Sequence, residues 1–481
     1  MRVRCSSGCQ RYPTAHVKRP LWVLIALLVV HFVIILRHHA RPLITDELYY
    51  FDRAHYFAQD RGLKPIDERV TAGPSDWRPP GYPILLGTFG YGTFDDPAAF
   101  RLRVTIVQFL AVAALLIATF VFFTRSTNDT RAHWIAAILF GLAPWPFEFT
   151  NDIGPDELAA ALIGCSLLLL WRARGSSSWL HAVMGFSLSL TLRPEMIVMP
   201  PFIAAAAFTI NRRWSVRNVV AAALGFGVIV GAQVLYRTTH SGRVSIFGEF
   251  RIANAGAFHW TRTWFGTEKE AYDFVYAITE GRSHELPARA FDNDQERGLV
   301  EVLTRYAQAN GYSPGIDATF ENLANQRTRR HPMRTMLVRA ANVFHVWINL
   351  ETPSPILEEL TPVPRPIRRV LLGGLLLLRI VIIVAGFIGA WRARHNADPY
   401  DKLTLLMFAY IVLRTLLVGI VLDWRVHRYM LSAWIPLLWC AARAFNRTTA
   451  RPSPSNGREV FAGAVRGGDG GAAIAGEARP C

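Results

Sequence analysis

The chain has 481 residues, of which 51% are hydrophobic and only 18% are charged. Its apolar residues form blocks separated by short arginine-containing segments, which is typical of a membrane protein and excludes an ordinary soluble domain. The net charge of +16 does not indicate nucleic-acid binding, because the basic residues lie mostly at helix ends rather than on one soluble face. The five cysteines show neither a disulfide framework nor a zinc-binding pattern.

Apolar runs predict the membrane-spanning helices, since roughly 17 to 25 apolar residues cross the hydrocarbon layer as a helix. The sequence contains about ten such runs, some of them short, and therefore predicts an all-α polytopic membrane protein. The predicted spans lie near residues 20–36, 103–123, 132–147, 157–171, 179–192, 196–210, 217–236, 370–390, 403–422 and 429–445.

The arginine and lysine residues between the spans set the predicted orientation, because cytoplasmic loops carry an excess of these residues. With the N-terminus inside, residues 38–100 and 237–369 lie on the outer face. The cytoplasmic turns then hold Arg125, Arg131, Arg172, Arg174, Arg212, Arg213, Arg217, Arg392, Arg394 and Lys402.

This orientation gives the expected domain organisation. A cytoplasmic N-terminus (1–19) precedes an N-terminal transmembrane module (20–236), which contains the first outer loop (38–100). An outer helical insert (237–369) and C-terminal transmembrane helices (370–445) follow. The tail, 446–481, is rich in glycine, alanine, proline and serine and is predicted to be disordered in the cytoplasm.

The first outer loop contains the adjacent carboxylates Asp46 and Glu47, followed by apolar residues at helical spacing up to Gly62. Asp46 is therefore predicted to begin an interfacial helix. Carboxylates near a low-dielectric boundary are candidates for proton transfer. Acidic residues are equally favoured in any first helical turn, where they interact with the helix dipole, so both readings are open.

Residues 77–83 of the same loop read Trp-Arg-Pro-Pro-Gly-Tyr-Pro. Because consecutive prolines restrict the backbone, this segment predicts a rigid turn that enters a helix. The alternative hypothesis is that Arg78 contacts a substrate.

The second outer loop brings Asp152, Asp156 and Glu157 to the same predicted face as Asp46. The two acidic loops are expected to converge on one site, since clefts tend to gather titratable groups. Pro155 followed by two acidic residues is also an ordinary helix start.

The predicted spans 179–192 and 196–210 are too short to cross the membrane alone, and Pro194 prevents a continuous helix between them. This break leaves Arg193 and Glu195 at membrane depth. Ionisable residues there indicate either a functional site or a salt bridge at a helix end.

The outer segment 237–369 is predicted to be a small helical insert. Thr267 and Glu270 fit a capping box that begins a helix, and Gly281 is positioned to end it. Met333 to Asn349 forms an amphipathic run that is expected to lie on the membrane surface.

The last outer turn carries Arg425, His427, Arg428 and Tyr429 on a face whose short loops otherwise lack cations. Arginine suits bidentate binding of phosphate, as in an anionic lipid headgroup. General anchoring to membrane headgroups is the alternative reading.

In order and spacing, these motifs resemble the GT-C membrane glycosyltransferases, in the branch related to dolichyl-phosphate-mannose protein mannosyltransferases and to aminoarabinose transferases of lipid A. The resemblance covers most of residues 20–445. It rests on Thr45-Asp46-Glu47-Leu-Tyr-Tyr, Arg78-Pro-Pro-Gly-Tyr-Pro83, the loop from Asn151 to Glu157, Leu192-Arg-Pro-Glu195, His331-Pro332 and Arg428-Tyr429. It implies a GT-C-like bundle with outer-face amphipathic helices, and a carboxylate of the first outer loop that activates the acceptor.

The resemblance further implies that a sugar moves from a polyprenyl-phosphate donor to a glycan, lipid or protein acceptor. Asp46, with Glu47 beside it, would take the acceptor proton while Arg425 and Arg428 stabilise the departing phosphate, with inversion at the anomeric carbon. His427 and Tyr429 complete the predicted phosphate site. Arg78, Asp152, Asp156, Glu157, Arg193 and Glu195 are predicted to line the site or contact the acceptor. Binding of a divalent metal ion by the acidic loop is an alternative, and no ligand pattern in the sequence requires it.

A transporter or flippase for lipids or lipid-linked sugars is the main alternative, and would predict paired broken helices in two related halves. The sequence shows one clear break and no similarity between halves. A noncatalytic assembly subunit is a third reading, which gives the acidic loops no role. A bacterial inner membrane is the expected location, with membrane lipids as partners and the site on the outer face.

Overall fold

The computed structural model describes residues 14–37, 41–43, 45–59, 79–172, 176–193, 216–241, 255–264, 268–348, 362–395, 398–421 and 427–446. These residues form sixteen α-helices and contain no β-strand. The predicted all-helical fold is confirmed for this part of the chain.

The helices, in chain order, are α1 (Thr14–Leu36), α2 (Thr45–Ala58), α3 (Gly81–Phe89), α4 (Pro97–Ser126), α5 (Thr130–Leu142), α6 (Asp156–Arg172), α7 (Ser176–Leu192), α8 (Val216–Ser241), α9 (Ala255–Thr261), α10 (Glu268–Thr279), α11 (Asp294–Asn310), α12 (Pro314–Arg330), α13 (Pro332–Ile348), α14 (Arg365–Ala393), α15 (Pro399–Leu416) and α16 (Leu431–Ala444). A π-helical turn (Leu417–Val421) extends α15. The 3-10 turn Trp145–Phe147 follows α5, and the 3-10 turn His427–Met430 precedes α16.

Nine of the predicted spans overlap described helices, namely α1, α4 to α8 and α14 to α16. The span predicted at 196–210 lies outside the described residues. Five helical stretches are long and apolar enough to cross a membrane: Val17–Leu36, Pro97–Ser126, Val216–Leu235, Arg365–Ala393 and Tyr400–Ile420. The polytopic membrane architecture is therefore confirmed, while the count of ten spans stays a prediction. The predicted module boundary at residue 236 falls inside α8, which continues to Ser241.

Helix α16 lies at the centre of the bundle, and every one of its residues is buried. A helix that is apolar on all sides is stable only when other helices surround it. Helix α14 packs closely against it because Gly386 and Gly389 have no side chain. A Cβ atom on Gly389 would overlap the carbonyl oxygen of Cys440.

A second apolar cluster joins the segments that carry the acidic residues. It contains Tyr50 of α2, Tyr82 of α3, Phe100 of α4, Ile153 of the following loop and Leu192 of α7. The rings of Tyr50 and Tyr82 meet edge to face at 4.9 Å. Packing around these side chains brings the two acidic loops and the end of α7 to one end of the bundle.

The insert has a core of its own, formed by α9 to α12 around Trp260 and Phe320. Glu296 is buried there, accepts a hydrogen bond of 2.7 Å from the Trp260 ring nitrogen and pairs with Arg327. This buried pair makes hydrogen bonds on both sides, as a desolvated ion pair must to be tolerated.

Helix α13 connects the insert to the bundle and matches the amphipathic run predicted at 333–349. Its Val343 packs on Gly419 of the π-helical turn, and the Trp347 ring nitrogen donates to the Thr415 hydroxyl at 3.0 Å. Helix α13 also contacts the 3-10 turn His427–Met430. The insert is thereby fixed beside the turn that carries Arg428.

We expect Gly389→Ala to lower the midpoint of thermal unfolding of the detergent-purified protein, because the added methyl group forces α14 away from α16. Overpacking of this kind costs about 1–3 kcal/mol. Gly373→Ala on the same helix is the matched control, since nothing lies within 4 Å of its Cβ position. Equal midpoints for the two variants would contradict the close packing.

Candidate active site

The Glu47 carboxylate is buried and forms a two-point ion pair with Arg101 of α4. The Arg101 guanidinium donates to Oε1 at 2.9 Å and to Oε2 at 2.8 Å. Arg41 donates to Oε1 at 3.0 Å, and so does the backbone N–H of Ile153 at 3.1 Å. Both carboxylate oxygens are therefore occupied. This geometry favours a positioning role for Glu47, and its predicted role beside the base stays a prediction.

Arg101 also holds the backbone of both acidic loops, because it donates to the carbonyl oxygens of Pro42 at 2.9 Å and Asn151 at 3.1 Å. Gln108, about two helical turns further along α4, donates to the carbonyl oxygens of Thr150 and Asp152, both at 2.9 Å. Side chains of α4 thus fix the second loop against the first.

Asp46 lies on a different side of α2 from Glu47, since consecutive helical residues project about 100° apart. Its side chain is 47% exposed, and its Oδ2 lies 3.9 Å from an Arg428 nitrogen. These two residues are 382 positions apart in the sequence. The fold therefore places the accessible carboxylate of the first loop opposite a cation of the last turn.

Asp152 forms an ion pair with Arg41 and keeps 31% of its side chain exposed. The pKa of Asp152 is raised to about 6, chiefly because the surrounding protein excludes water from the carboxylate. The Arg41 and Arg428 charges lower this pKa and the Glu47 charge raises it, and the value includes all three effects. A carboxyl group with this pKa exchanges its proton close to neutral pH. The predicted role of Asp152 in lining the site stays a prediction.

Arg193 connects the end of α7 to the second acidic loop and to the last turn. It pairs with Asp156, and its guanidinium lies 4.6 Å from the centre of the Tyr429 ring. The Arg428 guanidinium lies 5.4 Å from the same ring. Two cations are thereby held on one aromatic side chain, at separations where cation–π attraction is effective.

Glu157 differs from the other carboxylates in this region. Asp46, Glu47, Asp152 and Asp156 each pair with an arginine. Glu157 is 1% exposed, and neither of its carboxylate oxygens has a hydrogen-bond partner among the described residues. Burial of an unpartnered carboxylate is costly, so this residue either holds a proton or awaits hydrogen bonds from a ligand.

Four of the other predicted site residues have no described side chain. Arg78, Glu195 and Arg425 lie outside the described residues, and His427 lies in the 3-10 turn, where only its backbone is described. Among the described residues, no group of three or more His, Cys, Asp or Glu side chains is arranged to hold a metal ion. The divalent metal stays an untested prediction.

The residues that sequence reasoning did not assign to the site are Arg41, Arg101 and Gln108. Arg101 lies at the end of a predicted span on the outer side, where few cations are expected. That position marks both Arg101 and Arg103 as unusual and does not show which of them is enclosed. Gln108 gave no signal, since a single glutamine within an apolar helix does not identify its partner.

No family model matches the chain, and no curated protein matches it. Among solved structures, the chain is similar to the oligosaccharyltransferase AglB of Archaeoglobus fulgidus in complex with an inhibitory peptide and a dolichol-phosphate. Their identity is 11% and the TM-score 0.44, over 87% of this chain and 50% of that chain. This chain thus spans about half the length of that enzyme.

The chain is also similar to ArnT of Cupriavidus metallidurans. In the apo state the identity is 14% and the TM-score 0.36, covering 90% of this chain and 78% of ArnT. For ArnT bound to undecaprenyl phosphate, the identity is 11% and the TM-score 0.32, covering 89% of this chain and 78% of ArnT.

We expect Glu47→Gln to lower the unfolding midpoint strongly, because removing one partner leaves the buried Arg101 charge uncompensated, at a cost of about 3–5 kcal/mol. Glu280→Gln is the matched control, since Glu280 is 56% exposed and pairs with Arg282 at the surface, where such a pair contributes about 1 kcal/mol or less. Thermal unfolding of the purified proteins measures both. A loss no larger in Glu47→Gln than in the control would refute the positioning role.

Proposed function

We propose that this chain is a GT-C membrane glycosyltransferase that transfers a sugar from a polyprenyl-phosphate donor to an acceptor. One observation carries the proposal: the half-exposed Asp46 carboxylate faces Arg428 at 3.9 Å, beside the cluster of Arg193 and Tyr429. A base and a phosphate-binding cation are the two groups that such a transfer requires. The resemblance of the sequence motifs supports the same reaction.

In the proposed reaction, an acceptor hydroxyl or amine attacks the anomeric carbon while Asp46 takes its proton. The bond between that carbon and the phosphate oxygen breaks, and the oxygen leaves with the electron pair. Arg428 stabilises the resulting phosphate charge, with Arg425, His427 and Tyr429 as the other predicted donor-binding residues. Because phosphate is a good leaving group, no strong general acid is needed. Direct displacement inverts the anomeric centre.

The pair of Asp46 and Arg428 also suggests how donor binding prepares the base. At 3.9 Å, with side chains 47% and 30% exposed, this ion pair is weak. The negatively charged phosphodiester of the donor would compete for the Arg428 guanidinium, and the departing phosphate monoester would bind it more strongly. Its binding would free the Asp46 carboxylate for the acceptor.

The remaining carboxylates are assigned to the acceptor side of the proposed site. Glu157 can accept hydrogen bonds from sugar or acceptor hydroxyl groups, which would satisfy its buried oxygens. Asp152, Asp156, Arg78, Arg193 and Glu195 line the same proposed site. The proposed acceptor is a glycan, lipid or protein, and the proposed location is a bacterial inner membrane with the site on its outer face.

We expect Asp46→Asn to lower sugar transfer by about 10²–10⁴-fold, because general-base catalysis contributes that much and an amide cannot take the proton. The assay supplies protein in nanodiscs with radiolabelled polyprenyl-phosphate sugars and a membrane extract as acceptor source. Asp95→Asn is the matched control, since Asp95 is an exposed carboxylate of the same loop.

Transfer by Asp46→Asn at the level of the control would overturn the assignment of the base. Movement of labelled lipid between leaflets, with no donor consumed by the wild-type protein, would instead support the flippase and overturn the enzyme.

We expect Arg428→Gln to raise the KM for the donor by about tenfold or more while leaving the KM for the acceptor nearly unchanged. The reason is that hydrogen bonds to a charged group contribute about 1.5–3 kcal/mol. Arg305→Gln, a 71% exposed arginine of the insert, is the control. Donor binding that is equally tight in both variants would remove Arg428 from the phosphate site.

A further inference from the structure

Helix α13 packs on the bundle near its C-terminal end, through Val343, Val346 and Trp347. Its other large apolar side chains are exposed: Met333, Met336, Leu337, Phe344 and Ile348 are between 42% and 67% exposed. At about 100° per residue, these five form one stripe about 120° wide. Such a stripe is typical of a helix that lies in the membrane interface.

Exposed arginines stand at the beginning of this helix. Arg329 and Arg330 end α12, and Arg334 lies in the first turn of α13, next to the apolar stripe. All three are exposed, and their side chains form no hydrogen bond or ion pair with described residues. Three like charges within six residues therefore have no ion-pair partner among the described acidic side chains.

A second arginine cluster stands where α14 begins. Arg365, Arg368 and Arg369 occupy adjacent positions on the helix surface, spaced i, i+3 and i+4, where like charges repel one another. Arg365 and Arg369 are exposed, Arg368 is half-buried, and none forms an ion pair with described residues. No acid of the described segments offsets this repulsion, which a bound anion would relieve.

The surface below the second cluster is apolar and exposed over the length of a membrane span. Most residues of the apolar part of α14 are not buried by the protein. Val370, Leu377, Val384 and Phe387 are all more than half exposed. Since this surface faces acyl chains in a membrane, Arg365, Arg368 and Arg369 lie at the level of the headgroups. Helix α13 contacts α14, the helix that carries the second cluster.

We propose that Arg329, Arg330, Arg334, Arg365, Arg368 and Arg369 form a binding surface for the phosphate headgroups of anionic glycerophospholipids. The guanidinium groups bind the phosphates, while the apolar stripe of α13 and the exposed side of α14 contact the acyl chains. A water-soluble anion would leave this apolar area without a partner. The proposal is independent of the glycosyltransferase reaction, since none of these residues belongs to the site.

The test measures the midpoint of thermal unfolding of the detergent-purified full chain during titration with phosphatidylglycerol or phosphatidylcholine of identical acyl chains. A ligand bound by the folded state alone raises the midpoint. We expect phosphatidylglycerol to raise it by several degrees more than phosphatidylcholine, and 0.5 M salt to reduce this difference. The variant with all six arginines changed to Gln should lose most of the difference, and each triple variant about half.

The variant with all six arginines changed to Lys is the matched control, because it keeps the charge and should retain most of the effect. If the Gln variant is itself less stable, the headgroup difference within that variant still decides the result. A difference equal to that of the wild-type protein would overturn the proposal. So would an equal response to inorganic phosphate, which indicates a free-anion site, or a response to undecaprenyl phosphate alone, which indicates a donor-binding surface.

Discussion

The buried ion pair between Glu47 and Arg101 is the interaction on which the geometry of the candidate site depends. Moving two charges out of water is costly, and their attraction compensates only when the remaining hydrogen-bonding groups are also satisfied. Here Arg41 and the Ile153 N–H complete the carboxylate, and two loop carbonyl oxygens accept from the guanidinium. The same contacts join α2, α4 and the second acidic loop, so one pair sets the position of both loops.

Helix geometry then separates the roles of the two adjacent acids. Because Glu47 points into the bundle to reach Arg101, Asp46 must project toward a different side of α2. That side faces the last turn, where Arg414 donates to the carbonyl oxygen of Tyr429 at 2.8 Å and holds the turn in place. Asp46 and Arg428 are thus positioned by two separate buried arginines, Arg101 and Arg414.

The sequence predicted the helices well, because the length of an apolar run and its amphipathic period are local properties. Helix α13 and most of the membrane spans were located from these signals alone. The sequence also predicted that Asp46, Asp152 and Arg428 share one face, since alternating spans fix the side of each loop. It did not predict which acid is buried, because that depends on the rotation of α2 against α4.

Local sequence patterns also did not predict which charged residues form ion pairs with each other. Arg41 and Asp152 are 111 residues apart, and Arg101 and Glu47 are 54 residues apart. Nothing in the sequence around Arg101 distinguishes it from Arg103, which donates to the carbonyl oxygen of Tyr91 on an exposed surface. Only the packing of three segments decides which arginine is enclosed.

These pairings give the candidate site an uneven distribution of charge. Four carboxylates meet four guanidinium groups, and Glu157 is the fifth acid. The neighbouring Asp156 forms an ion pair with Arg193, and the Arg193 guanidinium also lies against the Tyr429 ring. A rotation of Arg193 toward Glu157 would break both contacts. The described residues therefore offer Glu157 no inexpensive partner. A ligand with hydroxyl groups, such as a sugar, can supply hydrogen bonds to both oxygens without adding a charge. This requirement of Glu157 agrees with the sugar that we propose as the group transferred at Asp46 and Arg428.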